Sequence, residues 1–351
     1  MKVTRIGIVG VGGIANYKHL HELLTFEDVR VTAICDINPA ALKSTGDKLS
    51  LPDEKRYTSY RDLIADPDVD AVEICTSNDV HAEIAIAALN AGKPINLEKP
   101  IALNYEQALE ILEAEKNSSA FGMICFSYRF MAAARYAMHL MEENIIGDVV
   151  GINVAYLKNS AFWENRPLEW RFIKEIAGSG VTGDLGAHLI DLAQLLAGNI
   201  TELCSVCSTI VKERKKIGSD EIGQVTTDDQ CSFIVKFANG ADGAFHITRC
   251  AIGHANTIRY DVYGTKGSIS FDLNDPSILS LSCGEGDPKN LRPTTVKVPE
   301  EFYYMQERAF VDAVNGKRDF LFPTIADGVR GQKVIDAVIR SAEERRWVNL
   351  D

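Results

Sequence analysis

The sequence predicts an α/β protein with two domains: a doubly wound parallel sheet over residues 1–123, and an α/β domain with an open, mostly antiparallel sheet over residues 124–351. Segments typical of strands and helices alternate through the first third of the chain, which indicates parallel strands joined by helices. After about Ile124, strand-like runs follow one another with little helix between them, and Asn239-Gly240 is a strong hairpin signal. A chain of 351 residues is long enough to form two separate cores.

The elements of the first domain are predicted from apolar runs bounded by polar or glycine-containing turns. Strands are predicted over Val3–Val9, Val29–Cys35, Val69–Cys75, Pro94–Leu97 and Phe121–Phe126. Helices are predicted over Pro39–Leu49, Tyr60–Ile64, Val80–Ala91 and Tyr105–Lys116. Pro39 suits the first turn of its helix, and Asn104 suits the cap of the last one. Ligands of such sheets bind beyond the carboxyl ends of the strands, where we expect the functional residues.

The second domain is predicted from strands with few intervening helices. Its strands are expected over Val149–Leu157, Cys204–Val211, Gln230–Phe237, Ala241–Cys250, Thr257–Tyr263 and Ser268–Leu273. Its helices are expected over Phe130–Glu143, Gly183–Leu196, Phe302–Val314 and Ala326–Arg345.

A glycine cluster follows the first strand, in the run Gly10-Val11-Gly12-Gly13-Ile14-Ala15. The spacing Gly-x-Gly-x-x-Ala is that of a dinucleotide-binding turn. Its first glycine permits the tight turn, its second lets backbone N–H groups approach a pyrophosphate, and the small third residue lets the helix pack on the strand. Asp36 ends the second strand about 20 residues further on, where a carboxylate accepts hydrogen bonds from an adenosine ribose. The two signals together predict dinucleotide binding rather than a purely structural glycine turn.

The composition excludes several other classes of protein. The formal net charge of −12 argues against binding to nucleic acid or to anionic membranes, which both need a basic surface. No apolar run is long enough for a membrane span, and the first residues lead directly into a strand, so we expect no signal peptide and a cytoplasmic location. The pair Cys204-x-x-Cys207 lies in a strand-like run with no second such pair, so the eight cysteines are expected to be free thiols.

Two groups of residues are candidates for proton transfer. Lys99 lies in Glu98-Lys99-Pro100 after a predicted strand, as an acid/base group or as an ordinary surface lysine. Asp184 and His188 are four residues apart in a predicted helix, so they share one face, which Asp191 continues. The alternative is an acid that complements the helix dipole and a hydrogen-bonded core histidine. No cluster of histidines or cysteines stands near them, so no metal site is predicted.

Aromatic and basic residues around this helix are candidates for substrate binding. Trp163, Trp170 and Arg171 precede it, and aromatic rings with polar neighbours suit the apolar faces and hydroxyl groups of sugar rings. Packing between domains is an equally good explanation for either tryptophan. Tyr128 and Arg129 follow the last strand of the first domain and give a weaker signal.

Taken together, these motifs resemble the Gfo/Idh/MocA family of oxidoreductases over essentially the whole chain. The resemblance rests on the segments Gly10–Ala15, Thr76-Ser77-Asn78-Asp79-Val80-His81, Glu98-Lys99-Pro100 and Gly183–Asp191. The family usually has proline where Ser77 stands. The resemblance implies an NAD-binding Rossmann domain, a second domain for substrate binding and oligomerisation, and a homo-dimer or homo-tetramer.

The resemblance also implies roles for individual residues. Lys99, Asp184 and His188 would form the catalytic set. The cofactor would be bound by Gly10, Gly12, Gly13, Ile14, Asp36, Thr76, Asn78, His81, Glu98 and Lys99. A carboxylate at Asp36 favours NAD over NADP because it repels a 2′-phosphate. The substrate would be bound by Tyr128, Arg129, Trp163, Trp170 and Arg171.

The expected activity is oxidation of a secondary hydroxyl on a cyclic polyol, sugar or glycoside, with either Lys99 or His188 as the proton acceptor. Two alternatives remain at the level of sequence. One is a redox-neutral glycosidase that uses NAD transiently, and the other is a non-catalytic NAD-binding sensor.

Overall fold

The computed structural model describes residues 3–272, 274–284 and 287–350, and the chain divides into two compact units. The first unit comprises Met1–Phe126 and Met305–Val329, and the second comprises Ser127–Tyr304 and Arg330–Asp351. The sequence placed a boundary after residue 123 and assigned all later residues to the second domain. The return of residues 305–329 to the first unit has a physical cause: Phe310 is buried and packs edge-on against Phe121 at 6.4 Å.

The first unit contains a six-stranded sheet in which every pairing is parallel, as predicted. In chain order its strands are Thr4–Val9 (β1), Val29–Cys35 (β2), Arg56–Tyr57 (β3), Ala71–Ile74 (β4), Ile95–Leu97 (β5) and Gly122–Ile124 (β6). Their spatial order is β3-β2-β1-β4-β5-β6, which is the doubly wound arrangement. The two-residue strand β3 was not predicted, because so short a run carries no periodic signal.

Three helices of the first unit begin at the predicted residue, at Pro39, Tyr60 and Tyr105; the helix predicted from Val80 begins at His81, and the one predicted from Phe302 begins four residues later, at Gln306. The helices of this unit are the π-helical segment Ala15–His19 continuing into Leu20–Leu23, then Pro39–Lys48, Tyr60–Ala65, His81–Asn90, Tyr105–Lys116 and Gln306–Val314. Asn38 Oδ1 accepts the backbone N–H of Ala40 at 3.0 Å. Asn104 Oδ1 accepts that of Gln107 at 2.9 Å, which confirms the predicted cap.

The second unit is built on a nine-stranded sheet with a separate two-stranded ribbon, formed by Glu213–Lys215 and Ile222–Gln224. Its strands are Val149–Leu157 (β7), Ile200–Ser208 (β8), Glu213–Lys215 (β9), Ile222–Gln224 (β10), Gln230–Phe237 (β11), Asp242–Thr248 (β12), Thr257–Gly264 (β13), Gly267–Asp272 (β14), Ile278–Cys283 (β15), Thr294–Lys297 (β16) and Val348–Asn349 (β17). The order is β16-β15-β14-β13-β7-β12-β11-β8-β17, and only β7 and β12 run parallel. The mostly antiparallel sheet is confirmed; Leu273, predicted to end a strand, lies outside the described residues.

One face of this sheet is buried. On β7 the inward side chains of Ile152, Val154 and Tyr156 alternate with more exposed neighbours. Stacked rings, such as Phe233 against Phe245 at 4.4 Å, fill the same core. None of the described helices combines the length and apolar character that a membrane crossing requires.

The helices of the second unit correct one prediction. They are Ala132–Glu142, Lys174–Ala177, Val181–Asp184, Gly186–Ala197 and the greater part of Ile325–Glu344. The predicted continuous helix over Gly183–Leu196 is wrong, because it is interrupted at Leu185. Glycines flank this residue at positions 183 and 186, and glycine weakens a helix. A shared face for Asp184 and His188 therefore does not follow from their spacing alone.

We predict that Gly180→Ala destabilises the protein by about 3 kcal/mol or more, because a Cβ at this turn would lie 1.9 Å from the carbonyl oxygen of Asp228. The melting temperature measured by calorimetry should fall accordingly. Gly151→Ala is the matched control, since its Cβ would make only ordinary contacts at 3.6 Å and beyond. Equal melting temperatures for the two variants would contradict the close approach at Gly180.

Candidate active site

The turn after β1 forms an open backbone cradle. Gly10 has φ +86°, and a Cβ there would lie 2.8 Å from the backbone of Cys75, so only glycine fits. Gly12 and Gly13 are exposed, and a Cβ on either would meet no described atom within 4 Å. Ala15 is fully buried where the following helix begins. The cradle thus has backbone N–H groups, space in front of them and a helix start behind, which suits a pyrophosphate.

Asp36 lies directly beside this cradle. Its Oδ2 accepts the backbone N–H of Val11 at 2.8 Å, and its Oδ1 accepts that of Asn38 at the same distance. Both bonds fix the carboxylate at the end of β2, next to the glycine turn. A negative charge in this position suits ribose hydroxyl groups and repels a 2′-phosphate.

The loop after β4 supplies further polar atoms at the same edge of the sheet. Asn78 is buried, and the hydroxyl of Thr76 is a buried polar atom with no hydrogen-bond partner among the described groups. An unsatisfied buried hydroxyl at this edge suits a bound polar ligand. His81 is fully buried, with Nδ1 2.9 Å from the carbonyl oxygen of Pro100 and Nε2 3.3 Å from that of Thr76. Burial lowers the pKa of His81, so this residue links two loops as a neutral imidazole.

The Glu98–Pro100 turn follows β5. Lys99 is partly exposed, whereas Glu98 is buried. Glu98 Oε1 lies 2.9 Å from Nε2 of His19, and Oε2 accepts the backbone N–H of Lys99 at 3.1 Å. Burial alone would raise the pKa of Glu98, but the hydrogen bond and positive charge of His19 hold it well below the usual range. Glu98 is therefore an ionised carboxylate that accepts a hydrogen bond from the backbone N–H of Lys99.

In the second unit, Asp184 lies within reach of two arginines. Its Oδ1 is 3.7 Å from Nε of Arg171, and its Oδ2 is 3.8 Å from Nη2 of Arg249. Arg249 is almost fully buried, and no described group accepts a hydrogen bond from its Nη1 or Nη2. Arg171 also lies over the ring of Trp170, at 4.3 Å. Asp184 is thus a partly exposed carboxylate in a positively charged environment.

His188 is buried beside Tyr128, whose ring centroid lies 4.3 Å from that of the imidazole. The Tyr128 hydroxyl donates to that of Tyr156 at 2.7 Å, and Tyr156 donates to Asn256 Oδ1 at 2.9 Å. Burial raises the pKa of Tyr156 to about 12 and that of Tyr128 further still. Both phenols stay protonated at neutral pH and hold the ring against His188.

Arg129 and Asp191 form a buried ion pair in which two guanidinium nitrogens contact the two carboxylate oxygens at 2.7 and 2.6 Å. The pair connects the segment after residue 126 to the helix Gly186–Ala197. Because both side chains are buried, direct contact of Arg129 with a substrate stays a prediction.

The tryptophans differ in exposure. Trp163 is 54% exposed, and its indole N–H donates to Asn159 Oδ1 at 2.9 Å. Trp170 is partly buried under Arg171.

The thiols of Cys204 and Cys207 are free, as predicted.

Sequence reasoning missed four residues of these clusters: His19, Tyr156, Arg249 and Asn256. Arg249 had a usable signal, since it is a charged residue near the end of a predicted strand. The other three gave none, because their roles depend on partners far away in the sequence.

Comparison with known proteins agrees with this geometry. Residues 4–125 match the oxidoreductase family with an NAD-binding Rossmann fold, and residues 134–270 match the GFO/IDH/MocA C-terminal domain. Levoglucosan dehydrogenase of Pseudarthrobacter phenanthrenivorans is 33% identical over 329 residues, which cover 85% of this chain and 84% of the relative. Inositol 2-dehydrogenase of Rhizobium meliloti is 27% identical over 348 residues, with 99% of each chain covered.

Solved structures extend the similarity to the whole fold. A levoglucosan dehydrogenase in complex with NADH superimposes with a TM-score of 0.90 at 30% identity, and the match covers all of both chains. The open glycine cradle, the unsatisfied Thr76 hydroxyl and the fixed Asp36 carboxylate fit NAD. The chain therefore belongs to the GFO/IDH/MocA family of NAD-dependent oxidoreductases.

Proposed function

We propose that the protein oxidises a secondary hydroxyl group of a cyclic polyol, sugar or glycoside with NAD⁺. The observation that carries this proposal lies in the second unit, where the Asp184 carboxylate lies within 3.8 Å of two arginines and the His188 imidazole packs at a tilt against the Tyr128 ring. Both side chains offer groups for a substrate hydroxyl. The named relatives support the substrate class, since they act on levoglucosan and inositol.

In the proposed reaction, Asp184 accepts a hydrogen bond from the substrate hydroxyl and orients it. Arg171 and Arg249 stabilise the charge of this carboxylate. Either His188 or Lys99 removes the hydroxyl proton as the carbon–hydrogen bond breaks. When bound, NAD⁺ supplies the hydride acceptor at C4 of its nicotinamide.

Recognition of the ring is assigned to the aromatic and basic side chains of the segment 163–171, of which Arg171 lies close to Asp184. Trp163 offers an exposed indole for the apolar face of a sugar, and Arg171 offers donors for its hydroxyl groups. Tyr128 contributes through its contact with His188. These roles, and that of Trp170, are proposals.

The first test is NADH formation with a panel of inositols, aldoses and glycosides. Steady accumulation of NADH with a free polyol or sugar would support the proposal. Accumulation of NADH with a glycoside would narrow the substrate class to glycosides. Cleavage of a glycoside without net NADH would favour the redox-neutral reaction instead. No reaction with any member of the panel, despite tight NADH binding, would reject the proposal.

We predict that Lys99→Ala lowers kcat by about 100-fold or more, because loss of a general acid or base has effects of this size. NADH affinity, measured by fluorescence titration, should change little. Lys116→Ala is the matched control, since this lysine is exposed at the end of a helix. Turnover by Lys99→Ala within about twofold of the wild type would remove Lys99 from the mechanism.

The glycine cradle gives a second prediction. Gly12→Ala should keep the wild-type melting temperature, since its Cβ meets no described atom, but should weaken NADH binding by about tenfold or more, or 1.4 kcal/mol. Gly10→Ala should lose both stability and binding, because its Cβ overlaps the backbone of Cys75. Wild-type NADH affinity in Gly12→Ala would show that the pyrophosphate does not lie at this turn.

We further propose a homo-oligomer that buries the outer face of the nine-stranded sheet. This face exposes Val206, Ile234 and Tyr263, and a groove of about 420 Å³ runs past Ile234, Tyr263 and Trp347. Exposed apolar patches of this kind mark protein–protein interfaces.

Light scattering should therefore give a dimer or tetramer of the 38.6 kDa chain, and the double variant Val206→Asp, Ile234→Asp should give a monomer. Ile252→Asp is the control, because Ile252 is exposed in a loop away from the strands. A monomeric wild type would overturn this interface.

A further inference from the structure

His19 is a fully buried histidine surrounded by acidic side chains, and the reaction proposed above does not use it. Its Nε2 lies 2.9 Å from Glu98 Oε1. Its Nδ1 lies 3.2 Å from Glu73 Oε2 and 3.0 Å from Glu307 Oε1. Glu73 and Glu307 are fully buried, and Glu98 nearly so. We call His19, Glu73, Glu98, Glu307 and Asn96 the buried acid cluster.

Protons held within the cluster reduce its negative charge, in addition to the positive charges of Lys18 and Lys99 near Glu98. Three ionised carboxylates around one imidazole would leave a large uncompensated charge in a buried site. Asn96 donates its Nδ2 to Glu73 at 2.8 Å and to Glu307 at 3.1 Å, which brings these two carboxyl groups together. Burial and then the charge of Glu307 raise the pKa of Glu73 well above its usual value. Glu73 therefore keeps a proton, whereas Glu98 and Glu307 are ionised.

The imidazole carries the compensating charge. Burial alone lowers the pKa of His19, but its neighbours Cys75 and Glu307 raise it well above the usual value. The thiol of Cys75 has a pKa of about 11 and is uncharged at neutral pH, so the carboxylates supply the attraction. Nε2 is hydrogen-bonded to Glu98, and Nδ1 lies within 3.2 Å of oxygens of Glu73 and Glu307 without hydrogen-bond geometry, so a positively charged ring suits both sides of this site.

Glu98 belongs both to the cluster and to the turn that carries Lys99. It accepts from His19 with one oxygen and from the Lys99 backbone N–H with the other. On the far side of the ring, His19 Nδ1 lies at ion-pair distance from Glu73 of β4 and from Glu307 of the helix Gln306–Val314. A change at His19 can therefore reach the backbone of Lys99 through the Glu98 carboxylate.

We propose that His19 is a positioning residue for Lys99: its buried imidazolium holds the Glu98 carboxylate, which in turn holds the backbone of Lys99 in its working orientation. The inference rests on the proposed function only for the role of Lys99. Several charged or titratable groups surround His19. They are Lys18 and Glu22 on its own helical segment, Glu73 of β4, Cys75 after β4, Glu98 after β5, Cys125 after β6, and Glu307.

The side chains around His19 could instead bind a metal ion. Donor atoms of His19 lie within 4.8 Å of those of Glu73 and Cys75, and of those of Glu98 and Cys125, as a metal site would require. Asn96 donates hydrogen bonds to Oε2 of Glu73 and Oε2 of Glu307, which favours protons over a metal in this cluster. Stoichiometric metal in the purified protein, found by elemental analysis, would overturn the proposal.

The charge of His19 can be measured directly by NMR of protein labelled with nitrogen-15 histidine, with His19→Gln to assign the signal. We expect both His19 nitrogens to show imidazolium shifts at about pH 7.5, where an ordinary histidine is neutral. Neutral-tautomer shifts at that pH would overturn the proposal. This result does not depend on turnover, so it stands even if the assay panel rejects the proposed function.

The positioning role is tested by kcat per NADH-binding site, which excludes misfolded protein from the count. His19→Gln should lower this kcat by about tenfold to 100-fold, as misplacement of a catalytic group does. The KM for NAD⁺ should change by less than about threefold. His21→Gln, two residues further along on an exposed position, should match the wild type. An unchanged kcat per site in His19→Gln would overturn the proposal.

A third variant tests where the proton lies. Glu73→Gln has nearly the shape of the protonated acid, so it should keep the wild-type kcat and melting temperature. Loss of about tenfold in kcat by this variant would contradict the assigned charges.

The contribution of the His19–Glu98 pair to the free energy of unfolding should be greatest between about pH 4.3 and 6.5. It is lost as pH falls through the lowered pKa of Glu98 or rises through the raised pKa of His19.

Discussion

The parallel pairing of β1 with β2 on one side and β4 on the other is the constraint on which the rest of the first unit depends. Because β5 continues the parallel arrangement, the carboxyl ends of four strands meet at one edge of the sheet. The glycine turn, Asp36, Thr76 and Lys99 come directly after these ends. Residues up to about 90 positions apart in sequence are thereby brought to one edge by backbone hydrogen bonds alone.

Each unit also contains buried charged side chains that pair with groups of opposite charge. In each unit the pair lies close to a residue that is proposed to act in the reaction. In the first unit the imidazole of His19 faces Glu98, which holds the backbone of Lys99. In the second, Arg129 pairs with Asp191, three residues after His188 along the same helix. Burying a charged group without a partner costs free energy, so each pair is kept together. The backbone segments that carry the two partners are therefore held in place. Rigid support of this kind is what proton transfer at a fixed distance requires.

The sequence predicts local features well. The glycine turn, the helix caps and the parallel sheet follow from motifs whose residues lie within a few positions of one another, and the structure confirms them. Features that depend on partners far away in the sequence could not be predicted from the sequence. His19 meets Glu307 only because a late helix packs into the first unit, and nothing in an amphipathic helix indicates which domain it covers. Gly183 and Gly186 weaken the helix near Leu185 locally, but the site also depends on tertiary packing, since a Cβ on Gly186 would lie 2.9 Å from the side chain of Ile247.

The central claim is that a secondary carbinol carbon of the substrate gives its hydrogen directly to NAD⁺. Transfer of deuterium tests it most directly. A substrate found by the assay panel is deuterated at one carbinol carbon at a time, and the resulting NADH is isolated for NMR. We expect deuterium at C4 of the dihydronicotinamide for one of these positions, with slower turnover for that substrate alone. Deuterium that appears in water, or that returns to the sugar product, would contradict the central claim.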